Sequence, residues 1–382
     1  MARDLNVALI GQAFMGKAHS NAWSQAPRFF DLPVNPVMHT VAARNADTLP
    51  AFADRFGWKS WSTNALALTK NEDVHLVDVS TPNDSHRSLS VAMLEAGKHV
   101  ACEKPLAGTL DEAREMRDAA RKAKGCKTFV WYNYRRCPAV ALAHNLIRAG
   151  KIGEIYHVRA SYLQGWGGPD TPLLWRFKKG AAGSGAHGDL NAHIIDLARF
   201  LTGDEVKEIN GAICKTFVKE RKRLDGPGKG KSTVDDSVQF LATFKKGATA
   251  SFEATRLAGG HFNDNSIEIN GTKGSLRWSL ERLNELQYFD ISEDGRTRGW
   301  SNIMATDAEA HPYAGAWWPE GHIIGYEHSF TNQVADICRV VGRRKPEVPL
   351  PDFADAYETQ RVLEAALIAA KARETVKMSE VK

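Results

Sequence analysis

Asn6-Val7-Ala8-Leu9-Ile10-Gly11-Gln12-Ala13-Phe14-Met15-Gly16 runs from an apolar strand through a glycine turn into a helical stretch that reaches Trp23. It has the form G-x-G-x-x-G with the second glycine replaced by Ala13, and it lies after a first strand and before a helix. The glycines permit a tight turn and a close backbone approach to a pyrophosphate, which would rest on the helix N-terminus. Alanine adds one methyl, which narrows the cradle without closing it. The pattern continues outward as strands at 37–42, 74–79, 100–102 and 128–131, separated by helices at 49–56, 85–96 and 111–124. Such alternation predicts an α/β, doubly wound parallel sheet.

Two strand ends in this first third carry chemistry. The second strand ends at Ala42-Ala43-Arg44-Asn45, with no carboxylate before Asp47. Arg44 suits either a 2′-phosphate (NADP) or a flat stack on adenine (NAD), and both stay open. The fourth ends at Glu103-Lys104-Pro105, where proline lacks an N–H and biases Lys104 toward an extended conformation. Ligands of open α/β sheets bind beyond the carboxyl ends of the strands, which places Lys104 at the lip of that crevice. A plain strand-end charge pair is the alternative.

Composition bounds the remainder. The 382 residues suffice for two cores, and a net charge of +5 gives no reason to expect nucleic acid. Five scattered cysteines without a C-x-x-C pair fit free thiols in a reducing cytoplasm. The opening strand is too short for a signal core or a membrane span. From 152 to 291 the chain shows repeated period-two alternation with hairpin signals at Asn270-Gly271 and Lys273-Gly274, which predicts an open, mainly antiparallel sheet in an α+β domain. An exposed sheet face predicts a homo-oligomer, a dimer or tetramer. The basic run Lys219–Ser232 has no interleaved aromatics and reads as a solvated or oligomer-contacting loop. The expected division is 1–133, 134–350 and a helix in 351–382 returning to the first domain, with the helical patterns at 330–341 and 354–372 both expected to close against that domain.

Gly183-Ser184-Gly185-Ala186-His187-Gly188-Asp189-Leu190-Asn191-Ala192-His193 opens a helix whose apolar spacing runs Leu190, Ile194, Leu197, Leu201. Asp189 falls at its start and His193 four residues on, on the same face. A capping aspartate and a half-buried histidine are the bland alternative. The aromatic segment from Trp317 to Tyr326 suits either a lid, with His322 or Tyr326 touching a ligand, or core packing.

These motifs, in this order, resemble the glucose–fructose oxidoreductase / inositol dehydrogenase family over nearly the whole chain. The carriers are the Gly11–Gly16 turn, Ser80-Thr81-Pro82-Asn83 with His86, Glu103-Lys104-Pro105, and Gly188-Asp189 with His193 and Asp196. The resemblance implies a nicotinamide-dependent sugar or cyclitol dehydrogenase. It implies a dinucleotide held by Gly11, Ala13, Phe14, Met15, Arg44, Ser80, Thr81, Pro82, Asn83, His86, Glu103, Lys104 and Asn133, with Trp175 and Arg176 near the nicotinamide. It further implies a substrate met by Lys104, Asn133, Arg176, Asp189 and His193, the catalytic members being Lys104, Asp189 and His193. Either His193 or Lys104 would be the immediate base, and no metal is expected. A narrower likeness, in Tyr132–Ala143, Tyr162-Leu163-Gln164, Leu174–Phe177 and His311-Pro312-Tyr313, is to the scyllo-inositol dehydrogenases that oxidise L-glucose, and to the levoglucosan dehydrogenases. The rival readings are a non-catalytic nicotinamide-sensing regulator, and a metal-dependent isomerase or hydrolase using His187, Asp189 and His193.

Overall fold

The computed structural model describes residues 3–382. They form two compact units. The first holds the chain up to Arg136 together with Gly315–Trp318 and Ile324–Tyr357; the second holds Cys137–Ala314, Pro319–Ile323 and Glu358–Lys382.

The first unit is built on β1 (Arg3–Ile10), α1 (Phe14–Phe29), β2 (Val34–Ala42), α2 (Leu49–Phe56), β3 (Ser60–Ser62), β4 (Leu76–Val79), α3 (His86–Glu95), β5 (His99–Cys102), α4 (Leu110–Lys122) and β6 (Thr128–Val130). The strands make one parallel sheet in the order β3-β2-β1-β4-β5-β6, the doubly wound arrangement expected. The inner parts of β1, β4 and β5 are covered on both faces, which is why they read as largely apolar runs, Asp78 in β4 being an exception. The order reverses between β1 and β4, so the turns after β1, β4 and β5 share one end of the sheet. Sequence patterning missed β3, a three-residue edge strand with no buried residue to set a period. α4 starts with a capping box in which Thr109 and Glu112 satisfy each other's backbone N–H groups.

The second unit carries a nine-stranded sheet. Its members are β7 (Ile155–Leu163), β8 (Val206–Lys215), β11 (Ser237–Phe244), β12 (Thr249–Thr255), β13 (Asp264–Gly271), β14 (Gly274–Ser279), β15 (Glu285–Asp290), β16 (Ser301–Met304) and β17 (Val376–Lys377), in the order β16-β15-β14-β13-β7-β12-β11-β8-β17. Every described pairing in it is antiparallel except β7 with β12. Helices α5 (Pro138–Arg148) and α6 (Ala192–Thr202) pack on one face. The other face presents Ile213 and Leu241, each more than half exposed.

Three expectations need correction. The basic run is not simply a solvated loop: it folds into a small hairpin of β9 (Glu220–Lys222) and β10 (Lys229–Lys231), and its Arg221 is fully buried. That guanidinium is drawn inward because it donates to the Gly167 and Gly168 carbonyls and to Asp236. The 134–350 boundary takes in helix α7 (Tyr326–Val341), which instead packs against the first unit as its helical pattern suggested: Phe330, Val334, Ile337 and Cys338 join Trp23, Ala26 and Trp131 in one core. Most of α8 (Phe353–Ala372), expected to return to the first unit, belongs to the second. Its Leu363 carbonyl bonds the His187 ring, its Thr359 hydroxyl accepts from Arg199, and β17 beyond it pairs with β8.

Candidate active site

In the first unit, the turn after β1 is set by backbone geometry. Gly11 adopts φ +123°, and a Cβ there would overlap Ser80; a Cβ at Gly16 would overlap the Gly11 carbonyl. Ala13 has φ −79°, open to any L-residue, so the alanine in the fingerprint costs no backbone strain. No side chain caps the first turn of α1, whose N–H groups therefore suit a pyrophosphate. The residues present fit a dinucleotide. Ser80 follows β4 and ties back to β1, its N–H and Oγ both donating to the Ile10 carbonyl. Phe14 is exposed at the start of α1, Met15 packs on the core, and Arg44 is exposed beyond β2.

Lys104 is braced from behind by a buried charge network that the sequence reading did not name. The His19 ring lies between Asp78 and Glu103, with Nδ1 at 3.1 Å from both Asp78 oxygens and Nε2 at 3.0 Å from Glu103 Oε1. Trp23 and Trp131 each donate an indole N–H to Asp78 at 2.8 Å, and the His19 ring stacks on Trp131 at 4.0 Å. The second oxygen of Glu103 accepts the Lys104 backbone N–H at 3.0 Å. Burial pushes the His19 pKa down, but the Asp78 and Glu103 carboxylates outweigh it and raise the value to about 9. His19 is thus an imidazolium at neutral pH, donating from both nitrogens. The sequence signal was Asp78 itself, a carboxylate inside the apolar run Leu76-Val77-Asp78-Val79.

In the second unit, residues His187–Asn191 form a π-helical turn that leads directly into α6. The wider turn changes the angular offset between Asp189 and His193 from the one a regular α-helix would give. The turn is pinned by Asp235, whose two oxygens accept the Gly185 and His187 N–H groups at 2.8 Å. Asp189 pairs with Arg256 at 2.7 Å, and His193 packs its ring against Tyr162 at 5.7 Å. Tyr162 and Gln164 both donate to Asn263 at 2.7 Å. The Arg176 guanidinium lies over the Trp175 ring at 4.5 Å, and its carbonyl accepts from Arg256.

The structure thus gathers Gly11, Ala13, Ser80, Glu103 and Lys104 at one end of the first sheet, and Asp189, His193 and Arg176 around Arg256 and Tyr162 in the second unit. His86 is not on a ligand-facing surface: it is fully buried, and its ring bridges the Thr81 and Pro105 carbonyls at 2.9 and 3.0 Å. Asn133 is buried and donates to Ser329 at 2.8 Å. The aromatic segment divides. Trp317 is core, packed on Phe29 and Phe30, and Tyr326 joins the rings of Tyr134 and Phe330 in the first unit. His322 is exposed in the second unit, with its ring 3.0 Å from the Pro319 carbonyl. The metal reading of His187 fails on geometry, because both ring nitrogens are engaged, by the Leu363 carbonyl and by Asn191. Among the described residues a three-residue group with metal-binding spacing is His261, Asp264 and Glu281, away from these positions in sequence.

Residues 5–132 match the family model described as the oxidoreductase family, NAD-binding Rossmann fold, and residues 140–277 match the GFO/IDH/MocA C-terminal domain. Levoglucosan dehydrogenase of Pseudarthrobacter phenanthrenivorans is 39% identical over 98% of this chain and 97% of its own. A solved levoglucosan dehydrogenase in complex with NADH and L-sorbose superposes with a TM-score of 0.94 at 40% identity, covering 98% of this chain and 99% of that one. An oxidoreductase domain protein from Kribbella flavida gives 0.94 at 48% identity, over 99% of this chain and all of the other.

Proposed function

The chain belongs to the GFO/IDH/MocA family of NAD-binding oxidoreductases, and from that premise we propose that it oxidises a secondary ring hydroxyl of a pyranose sugar of the levoglucosan type. The enzyme is an NAD-dependent sugar dehydrogenase; the choice of sugar is the step proposed. The observation that carries it is the full-length identity of 39% with levoglucosan dehydrogenase. Scyllo-inositol and L-glucose, weighed first from sequence, become the second reading.

A dinucleotide held at the turn after β1 would supply the hydride acceptor. The chain's own residues supply the rest. Lys104, with its main chain held by Glu103, donates a hydrogen bond to the reacting oxygen and stabilises negative charge developing there. His193 takes the proton, an imidazole nitrogen being a competent general base for a hydroxyl. Asp189 receives a neighbouring hydroxyl and orients the ring. Asn133, Trp175, Arg176, His322 and Tyr326 complete the proposed lining of cofactor and sugar.

Near-ultraviolet absorbance of reduced cofactor, followed with NAD and separately with NADP, tests the reading on levoglucosan, scyllo-inositol, myo-inositol, L-glucose and D-glucose. Turnover of levoglucosan at the highest kcat/KM is expected. Turnover confined to the inositols or L-glucose would replace it with the cyclitol reading, and binding without turnover would favour the regulator.

The same reading includes a cytoplasmic homo-oligomer. No helix among the described residues is long and apolar enough to cross a membrane, and the five cysteines are unpaired. The open sheet face holds a groove of ≈ 780 Å³ that carries both signs of charge, Arg159 and Arg277 beside Glu253 and Glu268, with Ile213 and Leu241. A monomer in light scattering would remove this part of the proposal.

A further inference from the structure

Arg256 follows β12 and is 1% exposed, so it cannot itself touch a sugar. Its guanidinium nevertheless connects two site segments. One terminal nitrogen donates to Asp189 Oδ2 at 2.7 Å, and the other to the Arg176 carbonyl at 3.4 Å. The plane is held by aromatic rings, 5.2 Å from Trp166 and 5.8 Å from Phe177. Arg221 lies 3.6 Å from the same Phe177 ring and bonds Asp236. The Asp236 carbonyl in turn accepts the Arg256 backbone N–H. Gly167 closes on Arg256 so tightly that a Cβ there would collide with it.

The pair is unequal in burial: the Arg256 side chain is 2% exposed and the Asp189 side chain 28%. A buried cation must be paired, whereas a carboxylate left partly in solvent can receive another partner. The buried member holds and the exposed member presents. We propose that Arg256 is a positioning residue for substrate recognition: by carrying Asp189 and the Arg176 carbonyl on one planar fork, it fixes where a hydroxyl neighbouring the reacting carbon is received. The inference rests on the sugar-dehydrogenase reading above. A lysine would not reproduce it, because an ammonium has no rigid pair of diverging donors.

The test is a double-mutant cycle with NAD and levoglucosan, or the panel sugar turned over fastest. Arg256→Met should raise KM by about 30-fold, the cost of loosening one charged hydrogen bond, while kcat changes less. Arg256→Lys should recover only part of the loss. In an Asp189→Asn background, Arg256→Met should add less than about threefold, because the partner through which it acts is already gone. NADH affinity, measured by fluorescence titration, should be unchanged throughout. Additive losses in the cycle, or an unchanged KM in Arg256→Met, would overturn the positioning role. If Arg256→Met does not fold, the KM of Arg256→Lys decides, and a wild-type value there rejects the role. A crippled Asp189→Asn beside a normal Arg256→Met rejects this inference alone. A normal Asp189→Asn rejects the reading of Asp189 and the inference with it.

Discussion

Lys104 and Asp189 are supported in opposite ways. Behind Lys104 stand Glu103, His19 and Asp78 in succession, each 4% exposed or less, closed off by two indole N–H groups. Asp189 stands on a π-turn, held by one guanidinium and by a carboxylate that grips only backbone N–H groups. The first arrangement locks a charge state as well as a position, and nothing in it can move without uncovering an unpaired ion. The second locks the backbone of the turn but leaves the side chain tied at its edge. On the proposed roles, a group that meets one cofactor tolerates the first kind of support, and a group that receives the sugar gains from the second, where one neighbour can alter what is accepted.

The largest effect is expected from removing the two groups proposed to handle the reacting hydroxyl. Lys104→Ala and His193→Ala should each lower kcat by roughly 10²–10⁴-fold with NADH binding retained. Near-normal turnover in either variant would break the comparison at its root, because there would be nothing for that half to support.

Next is the network behind Lys104. His19→Leu leaves Asp78 and Glu103 buried without their cation and should destabilise the fold by about 3–5 kcal/mol in chemical denaturation. A loss no greater than that of an exposed substitution would show that the two halves are held alike. The smallest effect is its pH signature. His19 has a folded pKa of about 9 against an ordinary 6.5, so it binds its proton more tightly in the folded state. Its contribution is fully present below about pH 6.5 and is lost as pH rises toward 9. The wild-type Tm should therefore fall by several degrees across that window, beyond any fall seen in a His19→Gln variant. Equal slopes in the two proteins would mean that the ring is neutral in the fold.

The parallel sheet, its glycine turn and the antiparallel strands were legible because each has a short-range cause. Buried strands need apolar runs, Gly11 needs a left-handed φ, and half-covered strands alternate. Lys104, Asp189 and His193 were legible as motifs at element ends. Their supports were not, because the partners are distant in sequence: His19 reaches Asp78 and Glu103, and Asp189 reaches Arg256. Arg221 was misread because its neighbours in sequence are charged and solvated, while its partners at Gly167, Gly168 and Asp236 lie elsewhere in the chain. The fate of α8 was hidden for the same reason: an apolar face shows that a helix is covered, not which core covers it.

Helix α7 also dictates the order in which this protein can mature on the ribosome. Residues 1–136 emerge first, yet the face of Trp23, Ala26 and Trp131 is sealed only by Phe330, Val334 and Ile337. At ordinary elongation rates of about 5–20 residues per second, that seal arrives some tens of seconds later. Until then the nascent nucleotide-binding half shows a sticky apolar surface of the kind chaperones capture. A gene truncated after residue 136 would make that exposure permanent.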